Sequence, residues 1–135
     1  MSTEADILRK YRTVAVVGLS SRPDRPSNQV ASYLKEHGYR IIPVNSREKE
    51  VLGEKCYPDL CSVPEPVEVV EIFRRSQDVP RVVAEAIYIG AKAVWMQQGI
   101  VHTAAARRAR EVGLEVVMDR CMMVEHRKLA SGQRS

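Results

Sequence analysis

Gly18 ends an apolar, β-branched run, Thr13-Val14-Ala15-Val16-Val17, and opens the stretch Leu19-Ser20-Ser21-Arg22-Pro23-Asp24-Arg25-Pro26-Ser27-Asn28. A buried strand that breaks at a glycine and feeds a helix gathers backbone N–H groups at one point, where the positive end of the helix dipole favours an anion. The hydroxyls of Ser20, Ser21 and Ser27, the Asn28 amide and the guanidinium groups of Arg22 and Arg25 add the donors that phosphate accepts. Four later stretches carry similar groups: Asn45, Ser46, Arg47 and Lys49; Phe73, Arg74, Arg75 and Ser76; Gln97, Gln98, Gly99, Ile100 and His102; and Asp119, Arg120 and Cys121. Cations in four of these five stretches suit a ligand with several phosphates.

Each piece also has a plainer reading. Gly18 serves a tight turn equally well, and Ser27 serves as a helix N-cap. Arg74 and Arg75 read as solvated charges, Phe73 as core, and Gln97-Gln98-Gly99 as a polar turn. Cys121 reads as a small buried apolar residue, His37 as filling at the core edge and His126 as surface. His102 is the best candidate for a general base, but no nucleophile stands at a spacing that would pair with it, so no catalytic residue is assigned.

The elements that must position these groups follow from periodicity. Ile7, Leu8 and Tyr11 mark a lead-in helix over 3–12, and 13–17 is the first strand. Val30, Tyr33, Leu34 and His37 recur at helical spacing up to Gly38. Residues 40–44 form the second strand, with Pro43 expected where it leaves the sheet, because proline cannot donate to a ladder. The stretch 45–66 is irregular, and its prolines exclude a long helix. Residues 67–73 are the third strand, 79–89 a helix with Pro80 in its first turn, and 91–96 the fourth strand. Val101, Ala105, Ala109 and Val112 should face inward from the next helix. Residues 114–118 make the fifth strand, and a short helix near 121–129 follows.

Gly38, Gly90 and Gly113 each stand between a helix and an apolar strand, a repeat that implies a parallel sheet with helices on both faces. The expected fold is α/β, a Rossmann-like doubly wound sheet of five parallel strands in the order 3-2-1-4-5. Ligands of such sheets lie at the carboxyl ends of the strands, beside the order reversal, and all five loops above fall on that edge.

At 135 residues, with 44% apolar and 28% charged side chains, the chain reads as one soluble domain over 1–135. Three of its four net positive charges come from Arg127, Lys128 and Arg134 in 126–135, read as a basic tail. With one Trp, one Phe and dispersed charge, no basic, aromatic face for nucleic acid is expected. The sequence has neither a membrane span nor a signal-peptide layout, and its three scattered cysteines suit a reducing compartment, so a cytoplasmic location is expected. Cys56 and Cys61 lack a second pair, and the three histidines lack ligand spacing, so no metal site is expected.

A nicotinamide dinucleotide is the first ligand this topology brings to mind, and the residues argue against it. The three-glycine fingerprint is absent after Gly18. Val44 and Asn45 stand where an acid would hold a ribose diol, and the nearby Arg47 tolerates an extra phosphate instead.

Val17-Gly18-Leu19-Ser20-Ser21-Arg22-Pro23-Asp24-Arg25-Pro26-Ser27, His37-Gly38-Tyr39, Pro43-Val44-Asn45 and Val51-Leu52-Gly53-Glu54-Lys55-Cys56-Tyr57-Pro58 stand in one register with Trp95-Met96-Gln97-Gln98-Gly99-Ile100 and Met118-Asp119-Arg120-Cys121-Met122. Over residues 5–128 this pattern resembles the small bacterial and archaeal CoA-binding domain family, and with it the N-terminal half of the succinyl-CoA synthetase alpha subunit. Ser46 departs from it, standing where the family usually has a proline after the asparagine. The resemblance implies coenzyme A or an acyl-CoA as ligand. Gly18 to Asn28 would hold its pyrophosphate, and Asn45 and Arg47 the adenosine and its 3′-phosphate. Phe73 and Arg74 would flank the adenine or the start of the pantetheine arm, and Gln97, Gln98 and Gly99 would line the path of that arm.

The synthetase's chemistry needs a phosphohistidine domain and a partner subunit, and one domain's length is not expected to supply them. The leading expectation is therefore non-catalytic binding of CoA or acyl-CoA. Two alternatives stand beside it: thiol exchange between Cys121 and CoA, and a CoA-dependent module for a protein partner or a second copy of the chain.

Overall fold

The computed structural model describes residues 2–132. Helix α1 (Thr3–Lys10) is capped by the Ser2 hydroxyl, which accepts the Ala5 N–H, and it leads into β1 (Thr13–Val17). There follow α2 (Pro26–Glu36), β2 (Arg40–Val44), a two-stranded hairpin of β3 (Glu50–Val51) and β4 (Glu54–Lys55), and a 3-10 turn at Leu60–Ser62. The chain continues through β5 (Val69–Ile72), α3 (Val79–Tyr88), β6 (Ala93–Met96), α4 (Thr103–Glu111), β7 (Glu115–Val117) and α5 (Met122–Ala130).

The main sheet is parallel and runs β2-β1-β5-β6-β7. Its pleat sends alternate side chains into two apolar layers. Ala15, Val17, Val70, Ile72, Val94 and Met96 pack under α3 and α4. Val14, Val16, Val69, Ala93 and Trp95 pack under α1, α2 and α5. Fold class and helix placement are as expected.

The neighbour order differs from the expected one. In the count of the five expected strands it is 2-1-3-4-5, because Val69–Ile72 pairs with β1 rather than lying outside β2. Burial explains the choice. All four residues of β5 are buried and need a strand on either side, whereas β2 carries Pro43 and belongs at an edge. The outer side of β2 is closed by Tyr57, whose N–H donates to Pro43 O at 3.0 Å and whose carbonyl accepts the Asn45 N–H at 2.9 Å. The order reversal therefore falls between β1 and β5.

The three glycines after helices end them in one way. The N–H groups of Tyr39, Ala91 and Leu114 reach back to Leu34 O, Ala86 O and Ala109 O, and those of Gly38, Gly90 and Gly113 to Lys35 O, Ile87 O and Arg110 O. This double bond is the Schellman cap. It makes each helix end abruptly and turn into the next strand.

Several local expectations are corrected. Arg25 caps α2 with Pro26 at its first position, so Ser27 is not the N-cap. Val101 and Val112 flank α4 and are exposed, leaving Ala105, Ala106 and Ala109 as its buried stripe. His126 is half-buried, with Nδ1 2.8 Å from the Tyr33 hydroxyl; burial first, then His37 and Arg12, holds its pKa below the ordinary value. The expected tail does not begin at 126, since α5 runs to Ala130; residues 133–135, Arg134 among them, lie outside the described residues.

Candidate functional site

The site is built where β1 and β5 come closest. Phe73 N–H donates to Val17 O at 2.8 Å, and Gly18 sits against the Phe73 carbonyl with φ +90°. A Cβ placed on Gly18 would lie 2.4 Å from that oxygen, so only glycine fits there. Gly18 thus brings two strand ends together and puts Phe73 and Arg74 beside the loop that follows β1.

That loop is held by its own side chains. Gly18 N–H donates to Val44 O at 2.8 Å, Ser20 N–H to Ser27 Oγ at 3.0 Å and Arg22 N–H to Ser20 Oγ at 3.1 Å. Asn28 is buried and donates from Nδ2 to Ser20 O at 2.9 Å. Ser21 turns away and bonds Glu48 through its hydroxyl at 2.7 Å. The expected row of free N–H groups is therefore engaged at Gly18, Ser20 and Arg22. The groups turned toward solvent are the guanidinium groups, with Arg22 in a loose pair to Asp24 at 3.2 Å.

The second loop is tied to the first, because Asn45 Nδ2 donates to Leu19 O at 2.9 Å. Asn45 Oδ1 accepts the Arg47 N–H at 2.9 Å, and the Arg47 side chain is exposed. On the far side, Gln97 is 4% exposed and its Oε1 accepts the Met122 N–H at the start of α5, at 2.8 Å. Gly99 N–H donates to Asp119 Oδ1 at 2.7 Å, joining the loops after β6 and β7. His102 is half-buried and caps α4 with Nδ1, which accepts the Ala105 N–H at 3.1 Å, so it is committed as a cap rather than poised as a base.

Three clefts share this rim. One, of about 350 Å³, is lined by Gly18, Ser20, Arg22, Arg25, Ser27 and Phe73. The next, of about 450 Å³, is the apolar one, walled by Val30, Phe73, Ile100, Cys121 and Met123, with Arg74, Gln97 and Gln98 at its polar side. The third, of about 310 Å³, opens over the ends of β1 and β2 between Asn45, Ser46, Asp59, Arg74, Arg81 and Glu85. Phe73 belongs to the first two and Arg74 to the last two, so the three form a chain across the order reversal.

Of the residues singled out from the sequence, Gly18, Ser20, Arg22, Arg25, Ser27, Asn45, Phe73, Arg74, Gln97 and Gln98 line these clefts. Ser21, Asn28, Arg47 and Gly99 do not; Ser21 and Gly99 bond the loops to one another instead, and Asn28 braces the first loop from within. Sequence reasoning missed Arg81 and Glu85, which sit on a helix whose polar positions look like any solvated face, and Asp59 in the irregular stretch. Gln29 and Met123 also line the apolar cleft without any signal in the sequence. Among the described residues no cluster of ligating side chains suits a metal ion, and no helix is long and apolar enough to cross a membrane.

Cationic and amide-bearing clefts thus stand at the order reversal of a Rossmann-like parallel sheet, the place where ligands of such sheets bind. The chain belongs to the CoA binding domain family, whose model matches residues 12–127. It is 41% identical over 121 residues to the uncharacterized protein YneT of Bacillus subtilis, covering 90% of each chain. A hypothetical protein from Pyrococcus horikoshii OT3 superimposes with a TM-score of 0.92 at 42% identity, covering 96% of this chain and 93% of that one. The ADP-forming acetate–CoA ligase II of Archaeoglobus fulgidus is 34% identical over 83 residues; these are 60% of this chain but only 12% of the ligase.

Proposed function

We propose that this protein binds coenzyme A or an acyl-CoA across the carboxyl rim of its sheet, as a binding protein rather than an enzyme. The observation that carries the proposal is the chain of three clefts joined by Phe73 and Arg74 at the order reversal. CoA has three chemically different parts, joined in the order adenosine, pyrophosphate, pantetheine, and the clefts offer one environment for each. The Gly18 cleft shares Phe73 with the apolar cleft, and its Gly18 follows Val17 of the Asn45 cleft. The pyrophosphate takes the cleft of Gly18, Arg22 and Arg25. The pantetheine arm with its thiol or thioester takes the apolar cleft past Gln97 and Gln98. The adenosine takes the cleft at Asn45. Membership of the CoA binding domain family supports the ligand, and the kinship to a ligase makes a protein partner a natural setting.

Calorimetric titration with CoA tests this directly. Among the described residues the Arg25 side chain has no hydrogen-bond or ion-pair partner, so Arg25→Ala should leave folding intact and weaken CoA by about 1–3 kcal/mol, the usual loss of a charge-assisted contact. Absence of heat on titration of the wild-type chain with CoA would refute the proposal.

A second reading has its own observation: Cys121 is half-buried and lines the apolar cleft assigned to the thiol arm. With CoA disulfide as oxidant, the Cys121 thiolate would form one S–S bond and break another, releasing one CoA thiolate. Intact-mass measurement after incubation with CoA disulfide should then show a CoA adduct in the wild type and none in Cys121→Ser. Equal masses in the two would leave simple binding.

A further inference from the structure

CoA differs from most adenosine cofactors in its third phosphate, on the ribose 3′-oxygen, and a protein that selects CoA needs a cation there. Arg47, close behind the end of β2, is the natural expectation from sequence. Its side chain is exposed, and it lines none of the three clefts.

The cleft over β1 and β2 has two other guanidinium groups. Arg74 reaches it from the end of β5, and Arg81 from the first turns of α3. Arg74 is held loosely, its Nη2 3.5 Å from Asp78 Oδ2. Arg81 has no ion pair and no side-chain hydrogen bond among the described residues. The two carboxylates of the same cleft are occupied. Asp59 Oδ1 accepts the N–H and hydroxyl of Ser62 at 2.8 and 2.7 Å, and Glu85 Oε1 accepts the Leu60 N–H at 3.2 Å. The cleft thus contains one uncommitted cation, one loosely committed cation and acids already engaged with neighbouring donors.

Geometry decides which phosphate they meet. The pyrophosphate cleft meets both of the others: it shares Phe73 with the apolar cleft, and its Gly18 follows Val17 of the Asn45 cleft and lies against the Arg74 side chain that borders that cleft. With the pyrophosphate at Gly18 and the thiol arm in the apolar cleft, the nucleoside is left with the Asn45 cleft, one wall of which is α3 through Arg81 and Glu85.

We infer that Arg81, assisted by Arg74, forms the subsite for the ribose 3′-phosphate in the cleft between the end of β2 and α3, in place of Arg47; this rests on the CoA-binding proposal above. Arg74 also borders the apolar cleft, so Arg81 is the residue whose loss should affect the 3′-phosphate alone.

The test is a pair of dissociation constants, for CoA and for dephospho-CoA, measured on the wild type, Arg81→Gln and Arg47→Gln, with each variant's thermal unfolding as a folding control. The wild type should prefer CoA by about ten- to a hundredfold, the worth of a charge-assisted contact. Arg81→Gln should bring that ratio close to one by weakening CoA while leaving dephospho-CoA unchanged, Arg81→Lys should restore part of it, and Arg47→Gln should keep it. A ratio retained in Arg81→Gln, lost in Arg47→Gln, or absent from the wild type would overturn the subsite and leave CoA binding standing. A wild-type chain that binds neither compound would instead overturn the CoA proposal, and the subsite with it.

Discussion

Two residues concentrate the physical tension of this protein. Gly18 is required by both its backbone and its surroundings, since φ is +90° and the Phe73 carbonyl occupies the space of a Cβ. The left-handed backbone alone costs a non-glycine residue about 1–3 kcal/mol, and the clash with a main-chain oxygen adds to it. Gly18→Ala should therefore lower stability by at least about 2 kcal/mol in chemical denaturation; a loss near zero would show that β1 and β5 are free to part.

Glu71 is the second. It sits on β5 with Val16 and Trp95 as its strand neighbours, is 0% exposed, and neither carboxylate oxygen has a hydrogen-bond partner among the described residues. Burial alone pushes its pKa up to about 8. The folded protein then holds a proton that the unfolded chain has released, and stability falls as pH rises from the ordinary carboxylate range toward 8, levelling off once both states are ionised. Glu71→Gln removes that dependence. Its unfolding free energy should match the wild type within about 1 kcal/mol near pH 4.5 and exceed it by a few kcal/mol, order of magnitude, near pH 9. Parallel stability–pH curves for the two proteins would contradict the assignment.

At the scale of elements, α5 is held at its start by the sheet it covers. Gln97 Oε1 accepts the buried Met122 N–H, and Trp95 Nε1 donates to Arg120 O at 2.8 Å, so β6 fixes both the entry of α5 and the position of Cys121 beside the apolar cleft. Gln97→Ala strands the Met122 N–H and should cost about 1–3 kcal/mol of stability. Hydrogen exchange should rise first at the amino end of α5; unchanged protection there would mean that α5 is held by its apolar packing alone.

Legibility in the sequence also divides at this scale. Apolar periodicity, with the glycines that follow α2, α3 and α4, identifies the strands of the main sheet and the helices around it within a few residues, because those signals are local. The neighbour order is not local. It turns on β5 being buried on both faces and on Tyr57 closing the edge of β2. The site divides the same way. Gly18, Arg22 and Phe73 stand at strand ends, where topology gives a side chain its meaning. Arg81 stands inside a helix, and only the folding of the Asp59 segment over the end of β2 turns its exposed position into part of a cleft.

Across the whole molecule, the reversal between β1 and β5 lets loops far apart in the chain share one rim. Asn45 bonded to Leu19, Ser21 to Glu48 and Gly99 to Asp119 tie those loops into one surface before any ligand arrives. A surface assembled in advance loses little entropy on binding. It also presents cations at separate points, at Arg22 and Arg25 and again at Arg74 and Arg81, which favours a ligand whose phosphates are spread out over one whose phosphates are contiguous. The central claim is tested most directly by titrating CoA and NAD into the same preparation in a calorimeter. We predict saturable binding of CoA, tighter than that of NAD by at least about tenfold, the effect of about 1.4 kcal/mol. Equal or tighter binding of NAD would contradict the claim.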